Sequence, residues 1–512
     1  MLRAYSNIHN KWINTIGFFI LGLIMALAQA PFNFSFLYFL ILPLLGLYIR
    51  DIKDKKTGFS IGWWTGLGYF SFTIIWIIEP FFVEPKTTGW IAPFALVFMA
   101  GGLALFWALA FYIATWLTSA GKIRLIFLAI SWTFFEYLRS FIFTGFPWGH
   151  LSYGLLSLPI IQVISWIGAH GLGLLLLIIC FLPAICAPRV KSGLTIMLSF
   201  LCLLTVIGFW RSNNINPDNP KNIIVRVVQP NATQSLKWRK DKKEIFYRKL
   251  LDLTIGKSLT SPNVVIWPET SISKLLNDSD AVIKEISIAA GPNTSVVAGI
   301  VRKEKNNSRN SLILINEHGD ISAIFDKQHL VPFGEYMPMA NFLNTIGLSS
   351  LTGLAGNFKP GKGSRIIDGG NIPNFLALIC YESIFSNYSN NIENRPDWIV
   401  QITNDAWFGS FSGPYQHLAQ ARIRAIEQGV PFVRSANTGI SAMIDPYGRI
   451  LNSIELETSG YFDAVLPDKL PPTPYAKFGE LFLLIISCLL LLASIKNIYR
   501  KHFIKEKYQY DI

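Results

Sequence analysis

Charge is scarce in this 512-residue chain: Asp, Glu, Lys and Arg make up 15% against 51% hydrophobic residues. That balance excludes an ordinary soluble globular protein and makes a membrane protein the first expectation. Cysteine is scarcer still. Of five, Cys180, Cys186, Cys202 and Cys488 fall inside long apolar runs, so only Cys380, in the stretch LALICYES, stands apart. A lone thiol there cannot join an internal disulfide and is either a buried filler or the chemistry. The seven histidines (His9, His150, His170, His318, His329, His417, His502) are scattered without ligand spacing, which argues against a metal site. GLAGNFKPGKG at 353–363 is Gly-rich but lacks the spacing of a phosphate loop, and no internal repeat is evident.

What the chain does have is apolar runs, near 12–30, 34–49, 58–79, 90–118, 123–142, 159–187, 192–210 and 479–497. A bilayer core of about 30 Å takes roughly 20 such residues to cross, so the expectation is a polytopic helical membrane domain of about eight spans. Arg3, Lys11, Arg50, Lys53, Lys55, Lys56, Lys122, Arg124, Arg189, Lys191 and Lys496 to Lys507 then gather on one side, while the opposite short loops offer only Lys86 and Arg139. By the positive-inside rule both termini are expected in the cytoplasm and the segment 211–475 on the far side. That segment is nearly charge-balanced, so the formal net charge of +13 reflects topology and not nucleic-acid binding. ALAQA at 26–30 imitates a signal-peptidase site, but Pro31 would follow the cut and a second apolar run begins almost at once, so no cleavage is expected.

The organisation read from these features is a membrane domain over 1–210, an exported domain over 211–475, and a last span with a cytoplasmic tail over 476–512. Polar, Pro-rich linkers at 211–222 and 467–480 bound the exported part. Inside it, short β-rich runs (222–229, 263–269, 294–301, 311–315, 375–382, 397–404, 431–437, 439–445) alternate with helical stretches at 242–255 and 414–429, and EHGD and DPYG mark hairpins. This pattern predicts an α/β layered domain. Three strand ends carry chemistry: Glu269 after VVIWP, Lys327 and then Glu335 after ISAIFD, and Cys380 after LALI. A thiol, a carboxylate to take its proton and an ammonium to face an oxyanion suffice for acyl transfer, with no metal or cofactor required.

WPET, KQHLVPFGEYMP, CYES and TNDAWFG, in this order and followed by QHLAQARIRAIEQGVPFVRSANTGISAMIDPYGRI, resemble the nitrilase superfamily of carbon-nitrogen hydrolases. With seven spans before them and one after, and FFEYLRSFIFTGFPWGHLSYG at 134–154, the whole chain is similar to that superfamily's membrane branch, the apolipoprotein N-acyltransferases. The resemblance implies a nitrilase-like αββα sandwich. It also implies a triad of Glu269 as general base, Lys327 as charge stabiliser and Cys380 as nucleophile. Glu335 would orient Lys327 and assist proton transfer, Tyr381 and Glu382 would flank the nucleophile with the Tyr381 N–H facing the oxyanion, and Trp238 would lie near the substrate entrance. The implied reaction takes an acyl chain from a membrane phospholipid, typically phosphatidylethanolamine, onto Cys380. The N-terminal amine of a diacylglyceryl-cysteine lipoprotein then receives it, on the periplasmic side of the bacterial inner membrane. Loops near Trp238 and around 339–357 are expected to touch the bilayer and gate the site.

One other reading remains open from the residues, and a second is argued against. An amidase anchored in the membrane would pass the same thioester to water. A transporter or receptor with a dead sensor domain would lack one of Glu269, Lys327 and Cys380, and all three are present. His329 and His417 are expected to be structural, and Glu136 and Arg139 to pair with each other or face water. KWRKDKKE at 237–244 reads as a solvated helix start.

Overall fold

In a computed structural model, residues 15–213, 222–489, 491–492 and 495 are described, apart from 238, 240, 259, 306, 341–344, 346–355, 364 and 387–394. The chain divides into two compact units, Met1–Ile215 with Thr473–Ile512, and Asn216–Pro472.

The first unit is helical. Its principal helices are Thr15–Ala26, Phe36–Ile49, Lys55–Thr73, Ala92–Leu117, Lys122–Arg139, Ile164–Ile185 and Val190–Asn213. Asp54 starts the third by accepting from the Lys56 and Thr57 N–H groups, which would otherwise be orphaned at its N-terminus. Helices Lys55–Thr73 and Ala92–Leu117 touch backbone to backbone because Gly62 has no side chain: a Cβ there would lie 2.7 Å from the Trp107 carbonyl oxygen and 2.9 Å from Ala108 Cα. Small residues at such contacts are how helices associate where apolar burial discriminates little between protein and lipid. Among the described residues, three helical segments are long and apolar enough to cross a membrane: Pro85–Leu117, Pro159–Ile185 and Val190–Asn213. The run at 58–79 qualifies only as a pair, Lys55–Thr73 and Ile75–Phe82, bent by 46°. Thr15–Ala26 and Phe36–Ile49 are shorter apolar helices, and Lys122–Arg139 carries four charged residues.

Glu136 and Arg139 on that helix do not face water. Arg139 Nη2 donates to Glu136 Oε2 at 2.6 Å, Trp107 Nε1 donates to Glu136 Oε1 at 2.7 Å, and both charged side chains are buried. Arg139 also donates to the Phe146 and Trp148 carbonyls, so the pair fastens the loop that follows its helix.

The second unit is built from two sheets. Strands β1 (Ile224–Gln229), β2 (Val264–Ile266), β3 (Ile272–Leu275), β4 (Ser295–Glu304), β5 (Asn307–Ile315), β6 (Ile321–Asp326) and β13 (Gly460–Val465) form a seven-stranded sheet in the order β13-β1-β2-β4-β5-β6, with β3 also paired to β4. Strands β7 (Ile366–Ile367), β8 (Phe375–Ile379), β9 (Trp398–Thr403), β10 (Phe432–Ala436), β11 (Ser441–Ile444) and β12 (Ile450–Ile454) follow one another across the second sheet. The centres are parallel, β1–β2–β4 and β8–β9–β10, and the flanks antiparallel.

Alternation along the strands makes the layers. Val225, Val227, Val264 and Ile266 meet Ala377, Ile379, Val400, Ile402 and Val433 between the sheets. The intervening residues Val228, Val265 and Trp267 pack under helices Lys243–Ile255 and Asp280–Ala290. Leu376, Leu378 and Ile399 do the same under helix Gly413–Gln428. Strands apolar on both faces are what such sandwiching requires. The order is helix, sheet, sheet, helix, as the resemblance implies and within the α/β layering that the sequence pattern predicts. EHGD and DPYG do close hairpins, β5–β6 and β11–β12.

Candidate active site

Glu269 stands where β2 has ended. Strand pairing stops at Ile266, Pro268 offers no N–H to extend it, and the carboxylate that follows is 6% exposed. Lys327 extends β6 by one residue, its N–H donating to the Asn310 carbonyl at 2.8 Å, and its side chain is 2% exposed. Eight residues on, Glu335 returns to it: Lys327 Nζ lies 2.9 Å from Glu335 Oε2 and 3.6 Å from Glu269 Oε1. Glu335 Oε2 also accepts the Val331 N–H at 2.8 Å, which closes the loop between them.

Asn310, on β5, completes this cluster and was not singled out from the sequence. Its Nδ2 donates to Glu269 Oε1 at 2.7 Å and to Glu335 Oε1 at 3.1 Å, so one buried amide spans both carboxylates. The signal was there in RNSLILI, where a polar residue opens an apolar run, but it read as a strand boundary.

Cys380 is the first residue past β8, not part of the strand. It opens a 3-10 turn, Cys380–Ile384, with φ at +52°, in the left-handed region that costs a non-glycine residue about 1–2 kcal/mol. The turn lifts the thiol out of the sheet's alternation. Glu382 holds it there. Fully buried, this carboxylate accepts from the N–H groups of Ile379 at 2.9 Å, Gln328 at 2.8 Å and His329 at 3.1 Å, and from Arg365 Nη1 at 3.1 Å. The backbone after Lys327 and the backbone before Cys380 are thereby tied to one group. Tyr381 is buried with its ring against His329 and Phe385.

Trp238 lies outside the described residues, as does most of the loop at 339–357. Its neighbour Lys237 is buried, contrary to the solvated reading of KWRKDKKE. Lys237 Nζ donates to the Glu269 carbonyl at 3.0 Å and to Thr270 Oγ1 at 2.9 Å, so it braces the strand end that carries Glu269. The basic run hid it: only the fold separates this lysine from its exposed neighbours.

The electrostatics follow from burial. Desolvation, then the Glu269 charge, push the Cys380 thiol up to about 12, against the opposing pull of Lys327. A nucleophile at this position would rest as a neutral thiol and need a base at the moment of attack. Burial alone would discharge Lys327, but Glu335 and Glu269 outweigh it and hold the ammonium above the ordinary lysine range. Lys237 has less compensation, and burial brings it down to about 8. Burial, Lys327 and Arg365 together lower His329 to about 4, which keeps it neutral. A neutral thiol, a carboxylate and a permanent ammonium in one buried cluster can activate a nucleophile and stabilise an oxyanion.

Comparison with known proteins identifies both units. The carbon-nitrogen hydrolase family matches residues 225–469, and the apolipoprotein N-acyltransferase N-terminal domain matches residues 21–182. The chain is 36% identical to the apolipoprotein N-acyltransferase of Rhodopseudomonas palustris over 92% of both chains. It is 34% identical to that of Brucella melitensis over 95% of this chain and 96% of the relative. With similarity running through both units nearly from end to end, the chain belongs to the apolipoprotein N-acyltransferase family.

Proposed function

We propose that the protein N-acylates lipoproteins through a thioester on Cys380. The observation that carries this reading is the buried cluster of Glu269, Lys327, Glu335 and Asn310 within electrostatic reach of a neutral thiol. The acyl donor is a membrane phospholipid, with phosphatidylethanolamine the favoured headgroup. As the Cys380 sulfur attacks the ester carbonyl, Glu269 takes the thiol proton, and the oxyanion forms against the Lys327 ammonium and the Tyr381 N–H. Collapse breaks the ester C–O bond, and the proton on Glu269 passes to the departing lysophospholipid. In the second half, the α-amino group of a diacylglyceryl-cysteine lipoprotein attacks the thioester. Glu269 takes a proton from the amine, the C–S bond breaks, and the proton returns to the sulfur. The exchange is ping-pong, and Glu335 keeps Lys327 charged and aimed.

Both substrates are lipid-anchored, which is why a helical unit belongs with this chemistry: the site meets them without drawing acyl chains into water. The Lys and Arg asymmetry supports eight spans in the bacterial inner membrane, both termini cytoplasmic and the catalytic unit periplasmic. An acyl-enzyme of this kind has a choice of acceptor. Purified protein supplied with a labelled-acyl phospholipid and a diacylated lipopeptide is expected to move label onto the peptide amine. Release of labelled fatty acid alone, with none on the peptide, would make the protein a hydrolase instead.

A further inference from the structure

Behind the nucleophile lies a second set of buried polar groups that the reaction above does not use. Cys380, His417 and Asp405 have the composition of a thiol–imidazole–carboxylate triad, but the geometry is not that of one. His417 Nε2 is 3.3 Å from the carbonyl oxygen of Cys380 and 3.0 Å from Ser383 Oγ, while Nδ1 is 2.9 Å from Asp405 Oδ1. Facing a carboxylate, Nδ1 carries the proton. Nε2 then accepts, from the Ser383 hydroxyl or from Gln401 Nε2 at 3.0 Å. The imidazole's free lone pair is thus spent on the floor of the turn and is not available as a base for the sulfur.

The other members converge on the same residue. Gln401 Nε2 donates to the Cys380 carbonyl at 2.8 Å, and its orientation is set because its Oε1 accepts from Arg434 Nη1 at 2.6 Å. Arg434 also pairs with Asp405 Oδ2. Thr403 Oγ1 donates to Asp405 Oδ1 at 3.0 Å, and its side chain meets the Cys380 thiol. Gln401, Thr403, His417 and Arg434 are all fully buried. Gly439 leaves room for the cluster, since a Cβ there would sit 2.5 Å from Asp405 Oδ2. Charged groups sealed this completely persist only when paired and hydrogen-bonded, and here Arg434 bonds Gln401, which in turn donates to the carbonyl of the left-handed Cys380.

We propose that Gln401, His417 and Thr403, anchored by Asp405 and Arg434, hold Cys380 in its left-handed conformation and aim its sulfur at Glu269 and Lys327. Gln401 acts on the carbonyl directly, and His417, its Nε2 accepting from Gln401 or Ser383, acts through them; both are positioning residues. Thr403 touches the reacting atom. Its one proton goes to Asp405 at rest, and the hydroxyl turns to donate to the thiolate once Glu269 has removed the thiol proton. This inference rests on Cys380 being the nucleophile, and it is tested by a reagent that reads the thiol whether or not an acyl group moves.

The full-length protein is treated with iodoacetamide from pH 6 to 11, and acylation by labelled phospholipid is followed in parallel. Thr403→Val, close to isosteric, is expected to slow alkylation throughout this range, where the thiol is still mostly protonated, and to slow acylation about 10²-fold at little change in KM, the scale of a misplaced reacting group. Thr403→Ser is expected to stay much nearer to wild type in both. Should Thr403→Val fail to fold, the smaller change Ser383→Ala, which removes a donor to the Cys380 carbonyl, is expected to slow acylation about tenfold. The proposal is overturned if Thr403→Val keeps the wild-type alkylation profile and acylation rate, if Ser and Val at 403 behave alike, or if Ser383→Ala acylates at the wild-type rate. It is equally overturned if His417→Asn abolishes the acid limb of the pH–rate profile, which would make His417 a base. Unaltered iodoacetamide chemistry with no acylation by the wild type would instead count against the acyl-transfer reading.

Discussion

Lys327 is bonded more closely to Glu335, at 2.9 Å, than to Glu269, at 3.6 Å. The two carboxylates therefore have different duties. Glu335 holds the ammonium, and Glu269, whose Oε1 is already occupied by Asn310, is the one left to face the thiol. Glu335→Gln should accordingly lower acylation without abolishing thiol alkylation, measured on the same preparation.

Glu269→Gln separates two effects that act in opposite directions. The Glu269 charge raises the thiol pKa, so removing it moves the alkylation midpoint to lower pH and speeds iodoacetamide labelling at pH 9. The same change removes the proposed general base and is expected to slow acylation by about 10²–10⁴-fold. A fall in both rates would contradict the assignment.

Asn310→Ala frees both carboxylates of their shared donor. Acylation is expected to fall by one to two orders of magnitude with the thermal midpoint of the folded protein little changed. Asn310→Asp, which sets a third carboxylate against two, should be worse than alanine. If it is better, the amide is not donating to Glu269 and Glu335.

Glu382 accepts four donors from three separate segments. Glu382→Gln turns an acceptor into a donor facing those N–H groups and leaves Arg365 without its carboxylate. Uncompensated burial of this kind costs about 3–5 kcal/mol, readable as a lower thermal midpoint. An unchanged midpoint would mean that the clamp contributes little.

Asp405 shows how stability should follow pH. Burial would raise its pKa, but Arg434 and His417 hold it down to about 2. Its folded value lies below the ordinary 3.8, so its contribution is fully present above that value and is lost as pH falls from 3.8 through about 2. Asp405→Asn should flatten this acid limb in urea-unfolding midpoints measured between pH 5 and 2. An identical slope in wild type and variant would contradict it.

How much of this was legible beforehand depended on whether a residue's role is local. Glu269, Lys327 and Cys380 each follow a recognisable apolar strand, so strand ends pointed to them. The two hairpins were legible because Gly319 and Gly448 supply the positive φ their turns need. Asn310 was not, because its role exists only once β5 lies beside β6 and β4. Lys237 was hidden in a basic run, and His417 reads as one polar residue in QHLAQARIRAIEQ until helix Gly413–Gln428 is laid over Gln401 and Arg434. The left-handed backbone at Cys380 had no signal, since no glycine marks it. The apolar runs were plain, whereas periodicity does not report the 46° break after Thr73.

The most direct test of the central claim is capture of the acyl-enzyme. Purified full-length protein is mixed with a phospholipid labelled in its acyl chain, quenched, and digested, and the label is located by mass. The expected result is label on Cys380, released by hydroxylamine as a thioester and missing from Cys380→Ala. No label on the wild type, or equal label on Cys380→Ala, would contradict the account.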